Sequence, residues 1–476
     1  MCYVDNTKNI LYNLTNKIFA NIVRLIFMKK ISDITAITAI FLVLSVIMSN
    51  FSGCANLPFF SSNDNPEDLT FSVAERHTRK DVFIAENGER QTVYSTQEIP
   101  PTKPGTSSSD YVPKNNEDEE KNIEPVEMRL RFLAAGDNIM HSNMIDDANE
   151  RAGGNGYNFR DMYEHIEADV KAADIAFINV ETPIAGDEFP YTGYPNFNTP
   201  KENGIAIVDV GFDIINIANN HMLDKKEQGY INNINFWESQ EVLLIGGFKD
   251  EADFETVRIY NRDGVSIAFL SYTYGTNGMF LPSDSKMIIP WIDAEVMERQ
   301  IKAARTQADL LIVVMHWGIE DSFTPNAEQT NLAQMMVNNG VDVVLGMHPH
   351  VLQETKWVDK PDGGQTLIAY SIGNFISAML YGRNMIGAML GFDIVKLTDK
   401  DGESTVWVEN AEMIPIVTHF NKSRKGLQVY KFEDYTEELA NQHWCMGNDP
   451  VFSYGFIMNT IKGNILPQFL SDFYAE

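Results

Sequence analysis

Five times in this chain a short apolar run stops at a side chain able to bind a metal. The sharpest case is Val341-Asp342-Val343-Val344-Leu345, followed at once by Gly346-Met347-His348-Pro349-His350. A short run rich in β-branched residues predicts a buried strand, and open α/β sheets carry their sites just past such strand ends. In an extended segment residues i and i+2 face the same side. With Pro349 fixing the backbone between them, both imidazoles are expected to face one point. Imidazole is the commonest metal ligand. In the other four cases the runs 128–135, 175–180, 212–217 and 310–315 lead into Asp137, Glu181, Asn220-His221 and His316. Gly136, just before Asp137, is expected to let the chain turn.

Taken singly, each of these residues has an ordinary reading. An Asp after a strand caps a helix, a lone His-Trp-Gly packs, and two loop histidines need share no task. Their recurrence at strand end after strand end predicts that Asp137, Glu181, Asn220, His221, His316, His348 and His350 meet in a layered α/β fold. Further runs at 242–245, 265–272 and 366–370 read as strands, and 389–397 and 405–417 as antiparallel strands closing the fold. Met162, Ile166 and Val170 share one helical face. Helices are also expected at 294–307 and around Leu332, Met335, Met336 and Val337. These elements outline one domain over residues 127–418, with 419–476 a tail carrying helical patches that packs back on it.

The first part of the chain has a different character. Lys29 and Lys30 precede an apolar run from Ile34 to Met48, of signal-peptide rather than membrane-spanning length. Phe51-Ser52-Gly53-Cys54 then resembles a bacterial lipobox, with Phe51 where an aliphatic residue is usual. Residues 1–54 are therefore expected to be a lipoprotein signal, with 1–27 an upstream extension before a start at Met28. Cys54 would carry the lipid that anchors an extracytoplasmic protein to the cell membrane. Of the three cysteines Cys2, Cys54 and Cys445, only Cys445 would then be left, so no intrachain disulfide forms. Residues 55–126 are polar and rich in Pro, Ser and acid, a composition that cannot order itself by burial. They are expected to be a disordered tether, with a short β segment allowed around 82–84 or 91–94.

The formal net charge is -29 with a pI near 4.6. This argues against nucleic acid as a partner, because phosphate binding needs a basic surface. An anionic substrate remains compatible if metal ions supply local positive charge.

As a set, Gly136-Asp137, Asn179-x-Glu181-Thr182-Pro183, Phe197-Asn198-Thr199-Pro200, Ala218-Asn219-Asn220-His221-x-Leu223-Asp224, His316-Trp317-Gly318-x-Glu320, Gly346-x-His348-Pro349-His350-x-x-Gln353 and Tyr370-Ser371-x-Gly373-Asn374-Phe375 resemble the CapA family of capsule or poly-γ-glutamate synthesis proteins. That family's domain is related to calcineurin-like metallophosphoesterases. The resemblance covers roughly residues 128–417 and implies a four-layer α/β/β/α sandwich with two mixed sheets and a site for two divalent metal ions. Asp137, Glu181, Asn220, His316, His348 and His350 look like its ligands, and His221 like its general acid.

Two departures stand out. Three residues separate Asp137 from His141, where the related enzymes have Asp-x-His, so His141 is only a further candidate ligand. Glu181 stands where the bridging carboxylate is usually Asp. The donor types favour Mn, Fe or Zn. Asp224, Glu320 and Asn374 are candidates for orienting the ligands, although Asp224 reads equally as a helix cap and Asn374 as a turn residue. His165, His419 and His443 fall outside every motif. The resemblance implies a surface lipoprotein that works with poly-γ-glutamate or another envelope polymer and with membrane subunits of a synthesis complex. A metal-dependent hydrolase of a phosphoester or envelope polymer, and a non-catalytic polymer-handling scaffold, are the alternatives.

Overall fold

The computed structural model describes residues 79–84, 90–95, 125–447, 449 and 451–475. The signal segment 1–54 with Cys54, and the remainder of the tether, lie outside the described residues. The chain divides into two units, Met1–Pro100 and Pro101–Glu476. In the first, β1 (Arg79–Ile84) pairs antiparallel with β2 (Arg90–Ser95), at the two stretches where the sequence allowed a short strand. Among the described residues no helix is long and apolar enough to cross a membrane.

The second unit is built on two sheets. One contains β3 (Val126–Asn138), β4 (Ile175–Val180), β5 (Ile214–Asn216) and β6 (Leu243–Ile245), which run parallel. The other contains β7 (Arg258–Arg262), β8 (Val265–Thr273), β9 (Leu310–His316), β10 (Val343–Met347), β11 (Thr355–Asp359) and β12 (Gln365–Ala369). Its order is β11-β12-β10-β9-β8-β7, with β8, β9, β10 and β12 parallel and both edge strands antiparallel. Then β13 (Asn374–Ile376) joins the end of β3, and β14 (Ile386–Thr398), β15 (Ser404–His419) and β16 (Gln428–Lys431) extend the first sheet antiparallel beyond β3. Both sheets are mixed.

The side-chain period of two along a strand sorts the second sheet into an inner and an outer face. Ile267 and Phe269, Ile312 and Val314, and Val343 and Leu345 point into the core shared with the first sheet. Ala268, Leu311, Val313, Met315 and Val344 point outward, against Met297 and Ile301 of the helix Ala294–Arg305 and Leu332 and Met336 of the helix Ala327–Asn338. Helices after β3, β4 and β5 cover the first sheet, with Met144, Ile207 and Ile234 buried in the same core. The result is the four-layer α/β/β/α sandwich. Phe132 of β3 sits at its centre, stacked 4.7 Å from Phe392 of β14 and 6.4 Å from Phe269 across the sheets.

The single helix expected through Met162, Ile166 and Val170 is instead two pieces, a 3-10 turn at Arg160–Tyr163 and a short helix at Glu167–Ala172. All three side chains are still buried; the break lets the chain bend around the sheet while keeping the same face inward. Beyond residue 418, β15 and β16 continue the first sheet, and Phe420, Leu427, Phe432, Phe452, Ile457 and Phe469 enter the main core.

Removing the Phe132 ring should leave a cavity between the sheets. Phe132→Ala is expected to lower the unfolding free energy by about 3–5 kcal/mol, read by denaturant titration; an unchanged midpoint would contradict this packing.

His443 gives a pH prediction. It is fully buried, with Nε2 on the Thr418 carbonyl at 2.9 Å and Nδ1 accepting from the Cys445 N–H at 2.9 Å. Burial holds its pKa down at about 3, and that of His419 at about 4. Both folded values lie below the unfolded value of about 6.5. Stability is therefore fully present above that value and is lost as pH falls below it, where only the unfolded chain takes up the protons. His443→Gln should make the loss between pH 6.5 and 4 shallower by close to one proton, about 1.4 kcal/mol per pH unit.

Candidate metal centre

Glu181 follows directly on β4 and is 1 % exposed. Neither of its carboxylate oxygens has a hydrogen-bond partner. Three imidazoles surround it instead: Nε2 of His350 stands 3.8 Å from Oε1, and Nε2 of His221 and of His316 each stand 3.9 Å away. These distances are too long for hydrogen bonds and leave a gap ringed by four donor atoms.

Two of the rings are held through Nδ1 and the third through Nε2. His350 Nδ1 lies 3.1 Å from Asp137 Oδ2 and 3.0 Å from Asn374 Oδ1, which leaves Nε2 facing Glu181. His221 Nδ1 lies 2.8 Å from Asp224 Oδ2, and the same oxygen accepts from the Phe197 N–H. Asp224 therefore orients His221 and does not cap the next helix. Asn374 likewise does more than shape a turn: its amide nitrogen donates to Ser377 and the Asn384 carbonyl while its oxygen holds His350. Asn220 Oδ1 sits 2.9 Å from His316 Nε2. Nδ1 of His316 and Nδ1 of His348 are buried without partners.

Asp137 ties the two sides of the cluster together. It is fully buried; its Oδ1 accepts from Asn179 Nδ2 at 2.7 Å, and its Oδ2 from the His348 N–H at 3.2 Å. Behind it runs a polar relay that sequence spacing did not reveal. Ser271 of β8 donates to Asn216 Oδ1 at 2.5 Å, Asn216 to Asn179 Oδ1 at 2.7 Å, and Asn179 to Asp137. The signal was present only as Asn at positions 179 and 216 inside otherwise apolar strands.

Two local expectations are corrected. The His348–His350 segment is not extended: φ is +93° at His348 and +58° at His350, so convergence does not come from strand alternation. The rings still meet, with centroids 5.6 Å apart. Backbone held in the left-handed region by non-glycine residues clusters at functional sites. Gly136 does not turn the chain either. It lies within β3, and a Cβ there would come 2.0 Å from the Gly373 carbonyl oxygen. The glycine is needed so that two backbones can pass beneath the cluster. Gly346 has the same task, with the Tyr370 carbonyl oxygen 1.9 Å from where its Cβ would be.

Two sets of side chains place ligand atoms within 4.8 Å of one another: Asp137 with Glu181 and His316, and Glu320 with His348 and His350. Glu320 belongs to the exposed edge and is not hydrogen-bonded to either ring among the described residues. His141 belongs to neither set. Its ring packs edge-on against Phe197 at 5.6 Å, its Nε2 is buried without a partner, and burial with the nearby His350, Arg424 and His221 holds its pKa at about 3. Tyr274, which no motif singled out, lies 4.4 Å from His348 between ring centroids and is half exposed.

The electrostatics fit a cation site. Burial raises the Glu181 pKa well above the carboxylate range, and burial lowers those of His316 and His348. At His350 burial also lowers the pKa, but Glu181 and then Asp137 outweigh it and carry it up to about 10. A buried carboxyl group without donors, ringed by imidazole nitrogens, is the arrangement a divalent ion completes.

In the metal-stripped chain, Asp137→Asn should bring the His350 pKa down from about 10, because it removes the negative charge beside Nδ1. A folded pKa raised above about 6.5 gives stability that is full below that value and is lost as pH rises through 10. The variant should weaken that loss. NMR titration of the ring protons tests it; an unmoved His350 would show that Asp137 does not charge the ring.

The sequence model of a family described as bacterial capsule synthesis protein PGA_cap matches residues 131–379. The chain is 27% identical over 262 residues to the PGA biosynthesis protein CapA of Bacillus subtilis (strain 168), covering 54% of this chain and 66% of that one, just short of two thirds. It is 27% identical over 321 residues to the capsule biosynthesis protein CapA of Bacillus anthracis, covering 64% and 73%. Among solved structures, the NAD nucleotidase of Haemophilus influenzae aligns over 74% of this chain and 58% of its own at 13% identity and a TM-score of 0.37. The calcineurin-like phosphoesterase YfkN of Bacillus subtilis aligns over 60% and 91% at 13% identity and a TM-score of 0.34.

Proposed function

The chain belongs to the PGA_cap family of bacterial capsule synthesis proteins, and from that membership we propose that it acts in the synthesis or export of a poly-γ-glutamate capsule polymer through a divalent-metal centre built on Glu181. The observation that carries the metal reading is the Glu181 carboxylate, buried with both oxygens unpartnered and three imidazole nitrogens around it. Two donor sets support two ions. Asp137, Glu181 and His316, with Asn220 beside His316, would hold one, and His348 and His350, with Glu320, the other. The nitrogen and oxygen donors suit Mn, Fe or Zn. When bound, such ions polarise a substrate oxygen and lower the pKa of a water molecule.

The remaining chemistry belongs to the chain itself. Asp224 fixes His221 through Nδ1, so that Nε2 faces the cluster. A proton carried on Nε2 is then placed to pass to a leaving group, as a general acid requires. Asn277 lies 3.4 Å from the same Nδ1 and accepts from Asn220, which steadies this side of the centre. The His221–Asp224 pair favours hydrolysis of a phosphoester or envelope polymer over a purely scaffolding role. The same proposal places the chain outside the cytoplasm, anchored to the membrane by lipid on Cys54 beside subunits of a synthesis complex. Its support is the Lys29-Lys30, Ile34 to Met48 and Phe51 to Cys54 pattern.

Elemental analysis of the purified chain should find a transition metal that His350→Ala and Glu181→Gln each remove; a metal-free wild-type chain would overturn the centre. Among variants that keep the metal, His221→Ala should lose about 10²–10⁴-fold in turnover of a phosphodiester or γ-glutamyl probe. No turnover by the metal-loaded wild type would leave the scaffolding role. Cys54→Ser should release the chain from membranes, and continued membrane retention would refute the anchor.

A further inference from the structure

We propose that Lys225, Arg424 and Lys422 form a cationic rim beside the metal centre that holds the carboxylates of an acidic polymer chain. The inference builds on the reading that such a polymer is handled at this centre, and it names the surface that would recognise it.

Contacts trace Lys225 and Arg424, and the exposed Lys422 lies two residues before Arg424 in the same connection. Lys225 follows Asp224, the residue that fixes His221. Its Nζ donates to Thr192 Oγ1 at 2.9 Å and to the Asn196 carbonyl at 3.0 Å. The same loop meets the start of the helix Ser142–Arg151, where the Gly193 N–H donates to Ser142 Oγ at 3.0 Å. One residue further, Asn143 Oδ1 accepts from Arg424 Nη2 at 3.3 Å. Phe197, on the same loop, lies edge-on to both His221 at 4.7 Å and His141 at 5.6 Å, so this flank borders the centre.

Arg424 belongs to the tight connection between β15 and β16, Asn421-Lys422-Ser423-Arg424-Lys425-Gly426. The connection is closed by its own hydrogen bonds. Asn421 Oδ1 accepts from the Ser423 and Lys425 N–H groups, and the Arg424 N–H reaches the Asn421 carbonyl at 2.8 Å. Arg424 has φ +58°, and its guanidinium lies over Trp444, 4.8 Å from the ring centroid. Lys425 is matched by Glu150. Among the described residues no carboxylate forms an ion pair with Lys225, Lys422 or Arg424. In a chain with 66 acidic and 37 basic residues, most cations could find an acid. An acid-rich surface repels a polyanion, so capturing one calls for a place where the local field is reversed. Unpaired cations grouped on one flank of the centre supply it.

The test is fluorescence anisotropy with a labelled γ-linked glutamate decamer and the full chain in detergent. The triple variant Lys225→Gln, Lys422→Gln, Arg424→Gln should bind at least about tenfold more weakly and with a flatter salt dependence. Asn143→Asp, which sets a carboxylate against Arg424 at almost constant volume, should also weaken binding and guards against a folding defect in the triple variant. Unchanged affinity in the triple variant, or equal binding of a neutral γ-linked glutamine decamer, overturns the rim. So does binding that vanishes with chelator yet survives the triple variant, since the metal alone would then hold the polymer. If the wild type carries no metal, the metal reading falls while the rim is still decided by the variants.

Discussion

The second unit is organised around a carboxylate that ought not to be where it is. Glu181 is buried, and none of its neighbours donates to it. An isolated buried charge costs several kcal/mol even after relaxation, so a group like this persists only when something compensates for it. The surrounding residues are arranged around that need. Asp224 holds His221, and the pair Asp137 and Asn374 hold His350, by Nδ1, so that both Nε2 atoms face one Glu181 oxygen, while Asn220 holds His316 by the Nε2 that stands near the same oxygen. The backbone yields as well. His348 and His350 accept left-handed conformations, and Gly136 and Gly346 give up their side chains so that neighbouring strands can pass close by.

Much of this was legible in the sequence because parallel strands buried on both faces read as unbroken apolar runs. β4, β8, β9 and β10 announce themselves that way, and the polar residue that ends each run is therefore conspicuous. Three of the strands that escaped are edges. β7 (RIYNR), β11 (TKWVD) and β16 (QVYK) are half-exposed and polar enough to resemble loops. Their place was decided by a free hydrogen-bonding edge rather than by their own pattern. The broken helix around Ile166 shows the same limit from the other side: periodicity told which residues are buried but not whether the backbone between them is continuous.

At the site itself, residue types were legible and geometry was not. Asp224 and Asn374 each carried an alternative reading that only their partners resolved. His141 was a candidate by nearness in sequence to Asp137, but the chain sets it behind Phe197 and outside both donor sets. Asn179 and Asn216 gave no clue to their common task, because their contact depends on how far apart two strands lie, and Ser271 comes from the other sheet altogether.

That last contact has a mechanical meaning. Ser271 stands on one sheet and Asn216, Asn179 and Asp137 on the other, so the relay works as an alignment pin between the two halves of the sandwich. Sliding either half past the other would break the Ser271–Asn216 bond and leave buried polar groups without partners. The pin ends on the residue that steers His350. The centre is thus unlike a site carried on loops, which can loosen while its scaffold stays intact: it is expected to come apart only when the two sheets part.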